Sequence, residues 1–314
     1  MSKYKEFDFN GLKKYKVAER NSKVNIDEFA KVLETNLSSF LDSIPNILKG
    51  SDFKELIDKT YEAYKAKKPI IIGIGGHVIK TGMSPLLIEM MRLGAIQGIC
   101  CNGSVVIHDF EISCFGQTSE NVSEALEDGS FGMATDTCDV INDIISQASK
   151  ERLGYGEAVG KYLSEREILH PELSLLKNAY EMNIPVTVHV AIGTDIVHQH
   201  ETANGSAIGD CSMRDFRVFT HMVSELGDGG VFINFGSAVI IPEVFLKALT
   251  VCRNKGVSVK NFTTAVFDMN THYRPETNIV SRPVKSGGKG YYFVGHHEIM
   301  IPLFLFGLRE RIGK

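Results

Sequence analysis

Apolar positions along the chain follow two alternating rhythms. Phe29, Val32, Leu33, Leu37, Phe40, Leu41 and Ile44 recur at helical spacing and predict a helix over residues 26–48. A second helix is predicted over residues 53–67. Pro69-Ile70-Ile71-Ile72-Gly73-Ile74 is then apolar throughout, as expected of a strand buried on both faces in a parallel sheet. Ser84-Pro85 marks the start of a helix, Ser as N-cap and Pro in the first turn, which runs to Leu93 and stops at Gly94. Residues 95–101 read as the next strand, completing a βαβ unit.

The alternation continues. Helices are predicted over 108–115, 119–126, 135–150, 156–165 and 171–181. The β-branched run Val186, Val188, Val190, between Pro185 and Gly193, predicts a strand over 185–192. A helix over 212–226, a strand over 230–235, a helix over 242–253, a strand region over 257–267, a strand over 290–294 and a helix over 298–309 complete the pattern. This order predicts an α/β fold, a doubly wound, mostly parallel Rossmann-like sheet with helices on both faces. Residues 1–68 read as a polar arm and helices packed on the core, and residues 69–314 as a single globular unit. No Pro- or Ser-rich linker, internal repeat or low-complexity tract divides the chain.

Composition narrows the function classes. The 314 residues are 43% hydrophobic and 23% charged, ordinary for a globular protein. A formal net charge of -4 gives no electrostatic basis for nucleic-acid binding. No apolar run approaches about 20 residues, so no membrane helix is expected. The polar start Met1-Ser2-Lys3-Tyr4-Lys5 has no secretory signal pattern. Six cysteines, at 100, 101, 114, 138, 211 and 252, form no CxxC pair and read as reduced thiols. The expectation is a cytoplasmic protein acting on a small molecule.

Polar residues gather where the strands end, the place where ligands collect in an open α/β sheet. The strand at 69–74 delivers Gly75, Gly76 and His77, and the strand at 95–101 delivers Asn102, Gly103 and Ser104, then His108, Asp109 and Glu111. The strand at 185–192 delivers Thr194, Asp195, His198 and His200, and that at 230–235 delivers Gly236 and Ser237. Small residues at these turns leave room for a phosphate-bearing ligand to approach backbone N–H groups. Neither GxGxxG before a helix nor GxxxxGK[ST] is present, which counts against a P-loop NTPase.

Seven of the ten histidines lie near strand ends or in the last loops: His77, His108, His189, His198, His200, His296 and His297. Imidazole is the usual proton shuttle and metal ligand at neutral pH. No metal is expected, with His198, His200, His296 and Glu298 as the alternative ligand set. His189, among valines, reads as a core histidine. Arg274 reads either as a clamp for a carboxylate or phosphate or as an ion pair with Glu276 or Asp268. Lys285 and Lys289 flank a glycine-rich loop and read as nucleophile, anion binder or solvated lysine.

Taken together, several segments resemble deoxyhypusine synthase and its relatives. They are residues 74–82, 102–109, 184–200, 229–238 and Tyr273-Arg274-Pro275-Glu276, and the resemblance runs from about Pro69 to Leu308. It implies a Rossmann-like NAD-binding fold, a tetramer, and transfer of an aminobutyl group from a polyamine through a lysine imine. It also implies NAD contacts from Gly75, Gly76, His77, Asn102, Gly103, Ser104, Asp109, Thr194, Gly236 and Ser237. Catalytic roles would fall to Lys285 or Lys289, Asp195, His198 and His296, and substrate contacts to His200, Arg274, Glu276 and His297. The chain departs from that family's pattern. It has no tryptophan to precede the lysine, Ile241-Pro242-Glu243 stands where the family has a histidine, and Thr277 stands for its second acid. The alternatives are a hydrolase or lyase built on the histidines, with or without metal, and a non-catalytic nucleotide-binding module.

Overall fold

The computed structural model describes residues 37–313, which divide into two compact units between Ser51 and Asp52. The expected arm at 1–25 and most of the helix expected over 26–48 lie outside the described residues. Within the first unit, α1 spans Leu37–Ser43. Helix α2, Leu48–Lys65, crosses the division.

The second unit is an α/β fold built on six strands: β1 (Ile70–Ile74), β2 (Gly98–Asn102), β3 (Val186–His189), β4 (Val231–Phe235), β5 (Phe262–Asp268) and β6 (Gly288–Val294). Every pair is parallel, in the order β3-β2-β1-β4-β5-β6. Ile71 stands opposite Gly98 on one side and Phe232 on the other. The expected doubly wound, Rossmann-like sheet is what forms. The order in which strands are added reverses between β1 and β4, the switch point where such folds open a crevice beyond the strand carboxyl ends.

Helices cover both faces. They are α3 (Gly76–Lys80), α4 (Ser84–Arg92), α5 (Gly103–Phe115), α6 (Val122–Asp128), α7 (Thr135–Glu151), α8 (Tyr155–Ser164), α9 (Leu175–Glu181), α10 (Gly205–Ser224), α11 (Ile240–Asn254), α12 (Tyr273–Pro275) and α13 (His297–Ile312). On one face Ile71, Cys100, Phe232, Phe262 and Val266 pack under Phe219 and Val223 of α10 and Phe245 and Leu249 of α11. The Phe232 and Phe245 rings stack at 4.1 Å. On the other face Phe267 meets Phe53 of α2 and Phe304 of α13, at 6.5 and 5.6 Å between centroids. Burying aromatic rings of this size contributes about 1.5–3 kcal/mol each.

Among the described residues no strand lies beyond β3, and side chains of α10 bond its outward groups at Val188 and Val190. Asp215 Oδ2 accepts from Val188 N at 2.8 Å and from Gly156 N of α8 at 3.0 Å. Ser212 Oγ accepts from Val190 N and donates to Val188 O. The edge is thereby closed to pairing with another strand.

Some boundaries moved for local reasons. Helix α5 begins at Gly103, directly after β2, so the second strand delivers a helix start rather than the loop expected before 108. Helix α10 begins at Gly205 because Asn204 caps it, accepting from Ser206 N and Ala207 N at 3.1 Å. The helix expected over 171–181 splits into a 3-10 turn, Pro171–Leu173, and α9, which is capped by Ser174.

Candidate functional site

The parallel ladder continues one residue past the strands at the switch point. Gly75 N donates to Phe235 O at 2.9 Å, Gly236 N to Phe267 O at 3.0 Å, and Gly295 N to Asp268 O at 3.0 Å. This draws the loops after β1, β4, β5 and β6 into one rim. A β-carbon on Gly75 would stand 2.3 Å from Gly236 O, and one on Gly236 (φ +67) 2.5 Å from His297 Nε2. These glycines therefore serve close packing of loop on loop. At both positions the missing β-carbon is what lets atoms of the neighbouring loops approach.

The polar groups along this rim are incompletely satisfied. Asp268, at the end of β5, accepts from Met269 N through Oδ1, while its buried Oδ2 has no hydrogen-bond partner among the described residues. His297, at the start of α13, is 1% exposed, and its Nδ1 also lacks a partner among the described residues. Burial lowers the proton affinity of His297, the Asp268 carboxylate opposes that, and His77 adds to it. The His77 and His297 rings lie 5.8 Å apart. Asn234 of β4 donates to Ser237 O, and its Oδ1 is unpaired among the described residues. Each unpaired buried polar atom costs about 1–3 kcal/mol. Such a cluster at a switch point is the arrangement a polar ligand would complete.

On the β2 side, Asp195 fills the space above Gly103. A β-carbon there would stand 2.1 Å from Asp195 Oδ2. Burial pushes the Asp195 carboxyl up to about 6. Asp195 and His198 form a reciprocal cap on the 3-10 turn Ile196–Gln199. His198 Nδ1 accepts from Gly193 N and Asp195 N, both at 3.2 Å. The neutral ring therefore carries its proton on Nε2, which is buried and has no partner among the described residues. His200 points elsewhere. Its Nδ1 meets Asp139 Oδ1 at 3.0 Å and its Nε2 meets Gly132 O at 2.9 Å, clasping the turn to α7.

The other candidates distribute unevenly. Asn102 accepts from Ser104 Oγ, and both stand at the start of α5. Thr194 is exposed and bonds back to Ala191 O, and Ser237 Oγ accepts from Ile241 N at the start of α11. Asp109 turns away from the rim. It accepts from Ser174 Oγ, Leu175 N and Leu176 N, so it holds the start of α9, which explains an acid beside a helix start without a ligand. Arg274 pairs with Glu243, at 3.3 Å, rather than with Glu276 or Asp268. Glu276 opens the π-helical turn Glu276–Ser281. His296 is exposed, 3.8 Å from Glu298.

Lys285 and Lys289 are not brought to this rim. Lys285 lies in the turn Pro283–Ser286 ahead of β6, and Lys289 pairs in register with Thr263 at the amino end of β5. Lys289 is held there by Glu55 at 2.5 Å and Asp52 at 3.5 Å. The alternative metal set does not converge either, since His198 faces its own cap and His200 faces α7. Among the described residues no three His, Cys, Asp or Glu side chains are grouped to hold a metal ion. No helix among them is long and apolar enough to cross a membrane.

His189 is buried, as its sequence context suggested. Its Nε2 lies 3.1 Å from Thr187 Oγ1, and burial pushes its pKa down to about 3. His108, one of the seven histidines near strand ends or the last loops, has no role assigned by its sequence context. On α5 its Nδ1 lies 2.7 Å from Thr118 Oγ1, and its ring edge packs on Gly76. The signal was there in the spacing, because residue 108 follows Ser104 by one helical turn and shares its face. Cavities elsewhere, of about 400 Å³ between α7 and α8 and about 540 Å³ beside the start of β3, lack these converging unpaired atoms. The rim is the better candidate for that reason.

No family model matches the chain, and no curated protein does. Solved structures do. A conserved LOR/SDH protein from Methanococcus maripaludis S2 is 18% identical over 83% of this chain and 69% of its own, with a TM-score of 0.50. AgrE, solved as a ternary complex with ornithine and NAD+, is 14% identical over 83% of this chain and 32% of its own, with a TM-score of 0.52. An Entamoeba histolytica protein described as a deoxyhypusine synthase is 10% identical over 91% of this chain and 96% of its own, with a TM-score of 0.52. The chain thus spans about a third of AgrE. At these identities the likeness is one of fold.

Proposed function

We propose that this protein is an NAD-dependent enzyme acting on a small amine at the carboxyl rim of its sheet. The observation that carries the reading is the row of unsatisfied buried polar atoms at the switch point, Asn234 Oδ1, Asp268 Oδ2 and His297 Nδ1, with the buried Asp195 on the β2 side. From β2 to β6 there are four interstrand intervals, about 19 Å, a span suited to an extended dinucleotide. Asp195, Asn102 and Ser104 would hold one end of NAD, and Asp268 and His297 the other. Bound there, NAD would supply a two-electron acceptor.

An amine substrate is supported by the neighbours' own ligands and descriptions, ornithine with NAD+ in AgrE and deoxyhypusine synthase in the Entamoeba protein. The resemblance implies a polyamine, and a buried carboxylate such as Asp195 suits a cation. No lysine imine is required, since Lys285 and Lys289 lie at the other end of the sheet. Ile192, Val239, Tyr273, Val294 and Ile299 are exposed apolar side chains on the same rim, which supports the expected homo-oligomer.

Titration calorimetry with NAD+ on the full chain tests the reading. One saturable site per chain is expected, weakened about tenfold or more in Asp268→Ala and His297→Ala. Absence of binding by both NAD+ and NADH would overturn it. NADH formation with spermidine or ornithine then tests the amine.

A further inference from the structure

His108, Thr118 and Glu111 form a directed chain that ends at the rim. Thr118 Oγ1 donates to Glu111 Oε2 at 2.5 Å. Glu111 Oε1 accepts a second bond, from Thr137 Oγ1 at 3.1 Å, so the carboxylate is fixed from both sides. A hydroxyl has one proton, and Thr118 has given its own to Glu111. Toward His108 it can therefore only accept, which requires the imidazole to carry its proton on Nδ1. The bare nitrogen is then Nε2; the ring's hydrogen bond among the described residues is the one at Nδ1.

The Cδ2 edge of the ring lies beside Gly76, the residue after Gly75 at the end of β1. Cδ2, the carbon bonded to Nε2, lies 3.3 Å from where a β-carbon on Gly76 would stand, and Ser104 Oγ lies 2.3 Å from the same point. A larger residue at 76 would occupy that ring edge, so Gly76 gives the imidazole its seat. This is the order of a carboxylate, a relay hydroxyl and a histidine base, the geometry by which a base is oriented and its tautomer fixed.

We propose that His108 is the proton acceptor of this rim, preset as the Nδ1–H tautomer by Thr118 and Glu111, with Nε2 free to take a proton from a hydroxyl or ammonium of the bound ligand. The step balances simply: the ligand's O–H or N–H bond breaks, an Nε2–H bond forms, and the ring becomes imidazolium while Glu111 supplies the facing negative charge. His108 would touch substrate, whereas Thr118 and Glu111 are positioning residues. The charged and titratable groups facing the ring are Glu111 on its own helix and Lys80 and His77 on α3. Burial lowers its proton affinity, Glu111 raises it, and Lys80 and His77 lower it, and the net lowering favours the neutral ring that a base requires. The proposal rests on the reading of the rim as a ligand site, but its first test does not need NAD.

The first test is 15N NMR of the full chain labelled at histidine, with His108 assigned from a His108→Gln spectrum. The Nδ1–H tautomer is expected at neutral pH. Thr118→Val should shift the ring toward the Nε2–H form, and Thr118→Ser should restore the original pattern. A wild-type ring in the Nε2–H form, or a Thr118→Val spectrum unchanged from wild type, overturns the proposal. The second test uses NADH formation from spermidine or ornithine. His108→Gln should lower turnover about 100-fold or more, and Thr118→Val about tenfold with a shifted pH profile, both with unchanged NAD+ affinity by calorimetry. Equal turnover in wild type and His108→Gln overturns the proposal while leaving the NAD reading intact. Loss of NAD+ binding in the wild type would overturn that reading instead, and the tautomer result would still decide for or against His108.

Discussion

Gly103 and Asp195 come from different segments of the chain and pack so closely that a β-carbon on the glycine would stand 2.1 Å from Asp195 Oδ2. Gly103 is the first residue of α5, and Asp195 caps the turn after β3. The contact therefore ties the ends of neighbouring strands together at the rim. Gly103→Ala must push the carboxylate aside or move the start of α5. A destabilisation of about 1–3 kcal/mol is expected by denaturant titration, as for overpacking at a tight site. NAD+ affinity should fall with it, and unchanged affinity at normal stability would show that Asp195 does not face the ligand.

Asp195 also gives the fold a pH signature. Burial raises its pKa from 3.8 to about 6. A raised folded pKa means that the neutral acid is the form the fold prefers. Its contribution is full below the unfolded value near 4 and is lost as pH rises through 6. Asp195→Asn, similar in size and always neutral, should remove that slope. The wild type should lose on the order of 2–3 kcal/mol more than the variant between pH 4 and pH 7. Parallel stability curves would show the carboxylate to be solvated.

His189 acts with the opposite sign. Its pKa is pushed down to about 3 by burial against Phe219, 5.3 Å between centroids. A depressed folded pKa means that the neutral ring belongs to the fold. Its contribution is present above about 6.5 and is lost as pH falls toward 3. Unfolding curves for His189→Gln, which keeps a partner for Thr187, should show less loss between pH 6.5 and pH 4 than the wild type. Equal acid sensitivity in both would place the cause elsewhere.

Periodicity carried most of the fold. Ile70–Ile74, Val231–Phe235 and the valines of β3 are apolar because both faces of a parallel sheet are covered, and that pattern is local. Strand order is not local, since it depends on which helix faces complement which strands 100 residues away. The rim was legible as a collection of strand-end residues. The direction of each side chain was not. Asp109 is an acid one turn into a helix, and only the fold shows that Ser174 and the start of α9 arrive beside it. His198 and His200 look like a pair, yet one is a cap and the other a clasp, because the turn between them rotates the two rings apart. His108 carried no motif, since its partners Thr118 and Glu111 become significant only when a loop folds back on α5.

Lys285 and Lys289 provide the sharpest contrast between resemblance and placement. The resemblance asks one of them to form an imine with a substrate carbon. In the parallel sheet a residue's end of the strand determines its edge, and Lys289 is the second residue of β6, opposite Thr263. The rim residue on the same strand is six positions further, at Gly295, about 20 Å away at the rise of a parallel strand. Glu55 raises the proton affinity of Lys289 and Asp52 adds to it, so its amine stays charged at neutral pH, the reverse of what a nucleophile needs. The double variant Lys285→Ala/Lys289→Ala should therefore keep NAD+ binding and any turnover of spermidine or ornithine. Its stability should drop by less than about 1 kcal/mol, the usual worth of a surface ion pair. Borohydride reduction in the presence of NAD+ and spermidine provides the direct check. A covalent adduct on the wild type that disappears in the double variant would restore the lysine imine and move the active site to the opposite edge of the sheet.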